Sequence, residues 1–352
     1  MHKDRILIWL PSPLGDAVLC TPALRAIRKH LVDAEITFYG NKTAMHVLSD
    51  SGFNDSSIIA EAANPFKIAS KLEKYNFTQA VLFKNSFASA LACFAAGIKT
   101  RIGYVREGRG IFLTDRLYPA KLPQGGYKPL SMIDYYLALA AWLGCDASDR
   151  HIVLSVEKSN IDNVTKKFTP MIAGDKPLII IVPGGAFGPS KCWPSDRFAQ
   201  VADRLIEKYD AGIIVSVSPH EQEKKIAKQI CSISKHKLIN LSRIPIDLAE
   251  LKALFSMADL VISNDTGPRH IAIAFGRKIV TLFGPNDPAW TETDYQNEIK
   301  IIGDADCAPC AKPICNQSRH KCMEAITVDM VCQAADRLLA NSNDQAENNQ
   351  NI

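Results

Sequence analysis

The chain reads as an α/β protein of two Rossmann-like halves, each a parallel sheet covered by helices on both faces. Three observations predict this. Short, wholly apolar runs alternate with stretches of helical periodicity, as strands buried on both faces do in βαβ units. The alternation stops in a polar interval at 155–176 and then starts again. Loops rich in glycine, proline and small polar residues follow several of the runs, and doubly wound sheets bind ligands beyond the carboxyl ends of their strands. The two halves are expected to face each other across a cleft that takes the ligand. The expected limits are 1–165 for the first domain and 166–340 for the second. Residues 341–352, polar and low in complexity, are expected to form a disordered tail.

In the first half, residues 6–10, 35–39, 79–83 and 101–104 read as strands. Residues 11–16 form a loop after the first of them. A helix follows with Leu24, Ile27 and Leu31 on one face, and further helical stretches lie at 65–75, 87–96 and 130–143. In the second half, strands are expected at 178–182, 212–217, 237–241, 260–262 and 278–283. The helices between them are expected at 197–209, 221–230, 247–257 and 269–275.

The 352 residues suffice for two domains with separate cores. A hydrophobic share of 47% and a charged share of 22% are those of a soluble globular protein. The net charge of +4 makes no case for nucleic acid. No apolar run approaches the roughly 20 residues of a membrane span, and residues 6–10 are too few for a signal-peptide core. A cytoplasmic protein with its 10 cysteines reduced is therefore expected.

Four places carry candidate chemistry. The stretch Ser263-Asn264-Asp265-Thr266-Gly267-Pro268 links a strand to a helix N-terminus, where free N–H groups and the helix dipole attract phosphate. An ordinary βα turn has the same composition. The loop 183–194 holds Lys191 and Trp193, and a lysine in a glycine- and proline-rich loop is a point charge suited to a diphosphate. Glu221 and Glu223 follow the next strand, where a carboxylate accepts from ribose hydroxyls or merely complements the helix dipole; Glu221 is the stronger candidate. Asp16, at the end of the first loop beside Gly15, is either a helix N-cap or a general base. That loop lacks the G-x-G-x-x-G fingerprint, which removes the main support for a nicotinamide enzyme.

Cys307, Cys310, Cys315 and Cys322, with His320 beside the last, have spacing compatible with a structural zinc site. Lys84, Arg101, Arg106 and Arg109 give the first half a set of bases able to meet an anionic ligand, or else a solvated charged face.

Several of these segments together resemble one family. GDAVLCTPALRAIR, the KNSF stretch with the following AAGIKTRIGY, the SKCWP loop, SNDTGPRHIAIAFG and TLFGPNDP are similar, in order and separation, to the family-nine glycosyltransferases, the ADP-heptose:lipopolysaccharide heptosyltransferases. The likeness runs from about residue 5 to residue 335. GYVREGRGIFLTDRL and the cysteine-bearing C-terminus bring the chain nearest to the members that add the second heptose.

The resemblance implies a GT-B fold, an inverting mechanism without a catalytic metal, and ADP-L-glycero-D-manno-heptose as donor. It implies heptosyl-Kdo2-lipid A as acceptor and peripheral contact with the cytoplasmic face of the inner membrane. On it, Asp16 is the base. Lys191, Glu221, Asp265, Thr266, Gly267 and His270 bind the donor, and Gly15, Lys84, Arg106 and Arg109 lie toward the acceptor. Arg269 stands where the family often has an apolar residue and receives no role. Two readings stay open beside this one: the same fold serving another nucleotide sugar or acceptor glycan, and a nucleotide-sugar-binding protein without catalysis.

Overall fold

A computed structural model describes residues 4–61, 63–172 and 176–340, with side chains omitted for 170–172. The expected tail at 341–352 lies outside the described residues. The chain divides into two units between Ser155 and Val156, with Ala289–Thr293 counted in the first. This is earlier than the expected boundary at 165, because the helix Lys158–Ile172 packs on the helix Leu248–Ser256 of the second unit.

The first unit holds six strands: β1 (Arg5–Trp9), β2 (Glu35–Gly40), β3 (Ser56–Ile59), β4 (Gln79–Leu82), β5 (Thr100–Tyr104) and β6 (Asp115–Leu117). Their order is β3-β2-β1-β4-β5-β6, and each pair runs parallel. The second holds β7 (Leu178–Val182), β8 (Gly212–Val215), β9 (Ile239–Asn240), β10 (Leu260–Asn264), β11 (Lys278–Phe283) and β12 (Glu298–Ile302). Their order is β12-β11-β10-β7-β8-β9, again parallel throughout. Numbered within its own unit, each sheet is the doubly wound 3-2-1-4-5-6 arrangement. The order reverses between β1 and β4 in one unit and between β7 and β10 in the other, and such switch points are where ligands bind.

The central strands follow from their composition. Ile6–Trp9 of β1 and all of LIIIV in β7 are buried, so both faces of these strands need apolar side chains. The helix Ser195–Tyr209 buries Phe198, Val201, Ala202 and Leu205 at i, i+3, i+4 and i+7, the stripe that a helix lays on a sheet. Trp193, just before it, is buried edge-on against Phe198 at 4.9 Å, and its indole N–H donates to Ile326 O at 3.0 Å. No helix among the described residues is long and apolar enough to cross a membrane.

Candidate active site

In the second unit the loops after β7 and β10 are tied to each other. Asn264, the last residue of β10, donates through Nδ2 to Pro183 O at 2.7 Å and Gly184 O at 3.3 Å. The loop after β7 then turns through Pro189–Lys191 and returns Lys191 to the end of β10. There its Nζ donates to Asp265 Oδ2 at 2.6 Å and to Asp265 O at 2.8 Å, while lying 4.9 Å over the Phe187 ring. Lys191 is only 8% and Asp265 5% exposed, so water screens the pair little.

Behind this pair stands Arg269, fully buried and 3.6 Å from Asp265 Oδ1. Its Nε and Nη2 make a two-pronged contact with Glu298 at 2.6 and 2.9 Å, and Thr281 Oγ1 donates to the same carboxylate at 2.5 Å. Glu298 begins β12 and Thr281 lies on β11, so the network fixes Asp265 from two neighbouring strands. Burial pushes Asp265 up, but Lys191 and Arg269 outweigh it and hold the carboxyl below its ordinary range.

The helix Gly267–Ala274 starts two residues before its expected beginning. Thr266 is its N-cap but makes no side-chain cap bond, so Thr266 and Gly267 lie at the helix mouth itself. His270 is buried, and burial first, then Arg269 and Lys191, push its pKa down to about 3 against the pull of Asp265. The imidazole is therefore neutral near pH 7. Its Nδ1 is buried without a hydrogen-bond partner among the described residues. A lysine, a helix mouth and a neutral ring nitrogen suit a diphosphate and a sugar hydroxyl.

The acidic pair is placed differently from expectation. Glu221 is the first residue of the helix Glu221–Ile233, is exposed, and pairs with Lys224 at 2.8 Å. It is not brought to Lys191 or Asp265. Glu223, two residues on, turns inward. Its Oε2 accepts from Ser218 N at 2.8 Å and lies where a Cβ on Gly184 would meet it at 2.2 Å. A side chain at 184 would displace the Glu223 carboxylate, which lies against the same loop that carries Lys191.

The cysteine segment has a packing role in this structure. Ser190 donates to Lys312 O at 2.6 Å through its hydroxyl and to Pro313 O at 3.2 Å through its N–H. Gly188, at φ 150, leaves room for Pro313 O. Cys322 Sγ packs beside Gly284. Cys307, Cys310 and Cys315 lie within electrostatic range of Cys322, but among the described residues no three or more His, Cys, Asp or Glu side chains are gathered closely enough to hold a metal ion.

In the first unit, a helix already begins at Leu14, so Asp16 lies in its first turn and Pro13 occupies the N-cap. Asp16 is thus not a cap. The half-buried carboxylate accepts no hydrogen bond from any described residue, and desolvation pushes its pKa up to about 6. Gly15 lies beside it, half-buried. A cavity of about 240 Å³ opens at the ends of β1, β2 and β4, lined among others by Ser12, Asn41, Lys84 and Ser86.

Two of the four bases offered to an anionic ligand are spent internally. Arg109 is fully buried: Nε donates to Tyr104 O at 2.8 Å, Nη2 to Asn85 Oδ1 at 2.8 Å, and Nη1 to Lys84 O. It ties the ends of β4 and β5 together. Arg101 donates to Phe112 O at 2.5 Å and Lys99 O at 3.1 Å. Arg106 remains half-buried, stacked over Tyr127 at 4.2 Å.

With this geometry in view, a comparison with known proteins identifies the family. The model of glycosyltransferase family 9 (heptosyltransferase) matches residues 66–321. The chain belongs to this family. The lipooligosaccharide heptosyltransferase 2 of Campylobacter jejuni is 28% identical over 96% of this chain and 99% of its own length. The lipopolysaccharide heptosyltransferase 2 of Escherichia coli is 27% identical over 82% of this chain and 84% of its own. The solved structure of the Escherichia coli ADP-heptose lps heptosyltransferase II aligns with a TM-score of 0.79 at 23% identity, covering 96% of this chain and 99% of that one. The family-nine assignment makes the chain a glycosyltransferase, and its two doubly wound units are the GT-B architecture.

Proposed function

We propose that this family-nine glycosyltransferase moves heptose from ADP-L-glycero-D-manno-heptose to the lipopolysaccharide inner core, on heptosyl-Kdo2-lipid A, with inversion. The names of its relatives support the sugar and the acceptor class. The observation that carries the chemistry is the contrast between a free, desolvated carboxylate in one unit and a cationic phosphate grip in the other.

Asp16 takes the proton of the acceptor hydroxyl. With no hydrogen-bond partner and a pKa near 6, it is ionised at pH 7 yet basic enough to accept a proton. The hydroxyl oxygen then attacks the anomeric carbon as the bond to ADP breaks, and the developing charge on the diphosphate falls on Lys191 and the mouth of the helix Gly267–Ala274. Asp265 keeps Lys191 aimed. Thr266, Gly267 and His270 contact the phosphates and sugar, and Glu223 rather than Glu221 accepts from the ribose. Because lysine and the helix mouth supply the positive charge, no divalent cation is needed. Gly15, Lys84 and Arg106 lie on the acceptor side, and the enzyme works at the cytoplasmic face of the inner membrane, where its lipid-anchored acceptor resides.

The deciding experiment is a transfer assay with ADP-heptose on acceptors that carry no heptose or one. Product only from the acceptor with one heptose is the expected result. Product only from the acceptor without heptose would move the enzyme to the first addition, and no product from either would remove the substrate assignment.

A further inference from the structure

The helix Phe87–Ala95 has no polar face. Its inner residues Ala90, Ala92 and Cys93 are buried, and so is Ser89, whose hydroxyl donates to Ser86 O at 2.7 Å. The residues left outside are Phe87, Leu91, Phe94 and Ala95, at i, i+4, i+7 and i+8, which is a single stripe. Phe87 is 44% and Phe94 51% exposed. The turn Arg109–Phe112 packs beside this stripe: the Phe112 ring meets Phe87 at 5.2 Å and Phe94 at 5.4 Å, and Ile111 next to it is 73% exposed. Scattered surface apolar residues need no explanation, but a contiguous patch of three aromatic rings and two aliphatic side chains marks a contact surface.

The charge of the chain is concentrated on the same stretch. Residues 84–113 hold five bases and one acid, whereas the other 322 residues hold 36 of each; of the five, Arg109 is fully buried, and Lys84, Lys99, Arg101 and Arg106 reach the surface. Arg101 lies over the Phe94 ring at 5.4 Å, and Lys99 is exposed close by in sequence. Apolar side chains with bases among them fit a bilayer bearing acidic headgroups, which takes both kinds of group at once. The patch also adjoins the cavity at the ends of β1, β2 and β4, since Ser86 and Ala88 line that cavity and Phe87 between them opens the stripe.

We propose that the face formed by Phe87, Leu91, Phe94, Ile111 and Phe112 docks on an anionic bilayer and thereby presents the adjoining cavity to a lipid-anchored acceptor. The second clause rests on the acceptor assigned above, while the docking does not.

The test is co-sedimentation of the full-length protein with vesicles of equal parts phosphatidylglycerol and phosphatidylethanolamine, and with vesicles of phosphatidylcholine alone. The wild type is expected to bind the acidic vesicles roughly tenfold or more tightly, with binding that weakens as salt rises. Phe94→Ser combined with Ile111→Ser should lower that binding about tenfold and leave turnover on a deacylated, soluble acceptor unchanged. Phe94→Trp keeps an aromatic ring at the centre of the patch, so the emission of that variant should shift to the blue on acidic vesicles even if the double variant does not fold. No preference for acidic vesicles, unchanged binding by a folded double variant, or an unshifted emission from the Phe94→Trp variant would each overturn the proposal. So would a wild-type dimer that the double variant splits without loss of vesicle binding, because the face would then seat a second copy of the chain. Vesicle binding is read without donor or acceptor, so its failure leaves heptose transfer untouched, and failed transfer leaves docking untouched.

Discussion

Two carboxylates, one in each unit, experience opposite environments although their sheets share one strand order. Asp16 has no countercharge and no hydrogen-bond partner among the described residues, and its carboxyl is pushed up to about 6. Asp265 is more deeply buried yet held below the ordinary range by Lys191 and Arg269. Burial acts in the same direction on both. What differs is whether a cation is placed beside the group: under the proposed mechanism the carboxylate that takes a proton is left alone, and the one that holds a lysine is paired.

The comparison breaks first at Asp16. Asp16→Ala is expected to lower kcat by about 10²–10⁴, the usual contribution of a general base, with ADP-heptose affinity unchanged. Isothermal titration beside a transfer assay measures both, and wild-type turnover would remove Asp16 from the role. The next largest effect is on stability in the other unit. Arg269→Ala removes the two-pronged partner of Glu298, whose side chain is fully buried, and leaves it the more distant cation Lys300 at 3.9 Å, so a loss of about 3 kcal/mol is expected in a denaturant melt.

Asp16→Asn should act in the opposite sense on stability. A carboxyl whose folded pKa exceeds its unfolded value costs stability once it ionises, so the cost is absent below about pH 4 and complete above about pH 6. The variant is expected to gain up to about 3 kcal/mol at pH 7–8, and this gain should vanish at the acid end. The pH profile of kcat/KM should fall below about pH 6 in the wild type for the same reason. Lys191→Ala, which removes one charge-assisted contact to the leaving group, should weaken ADP-heptose binding by about 1.5–3 kcal/mol. Smallest of all is the effect of excess EDTA, where less than about a twofold change in transfer is expected because lysine and a helix mouth meet the leaving charge. A strict magnesium requirement would contradict that role for Lys191.

Much of the fold was legible in the sequence because central parallel strands are continuous apolar runs. The strands that escaped, β3 (SSII), β6 (DRL) and β12 (EIKII), lie at sheet edges, where one flank faces solvent and polar residues interrupt the run. The loops carrying Asp16, Lys191 and Asp265 could be found because they follow strands at the points where strand order reverses. Other parts of the site left no local signal. Arg269 and Glu298 are 29 residues apart and become partners only when strand neighbours are known. The choice between Glu221 and Glu223 depends on helix phase: the first residue points outward and the third faces Gly184. Arg109 reads in sequence like any surface base, and only the fold supplies the acceptors that bury it.

The contacts that fix the Lys191 loop have a consequence for synthesis. Ser190 is held by a carbonyl 122 residues further along the chain, and Trp193 by one 133 residues further. A ribosome therefore releases the first unit and most of the second before either anchor exists. Until the segment around Lys312 and Ile326 emerges, the loop has neither of these partners, and the placement of Lys191 is among the last parts of the molecule to be set.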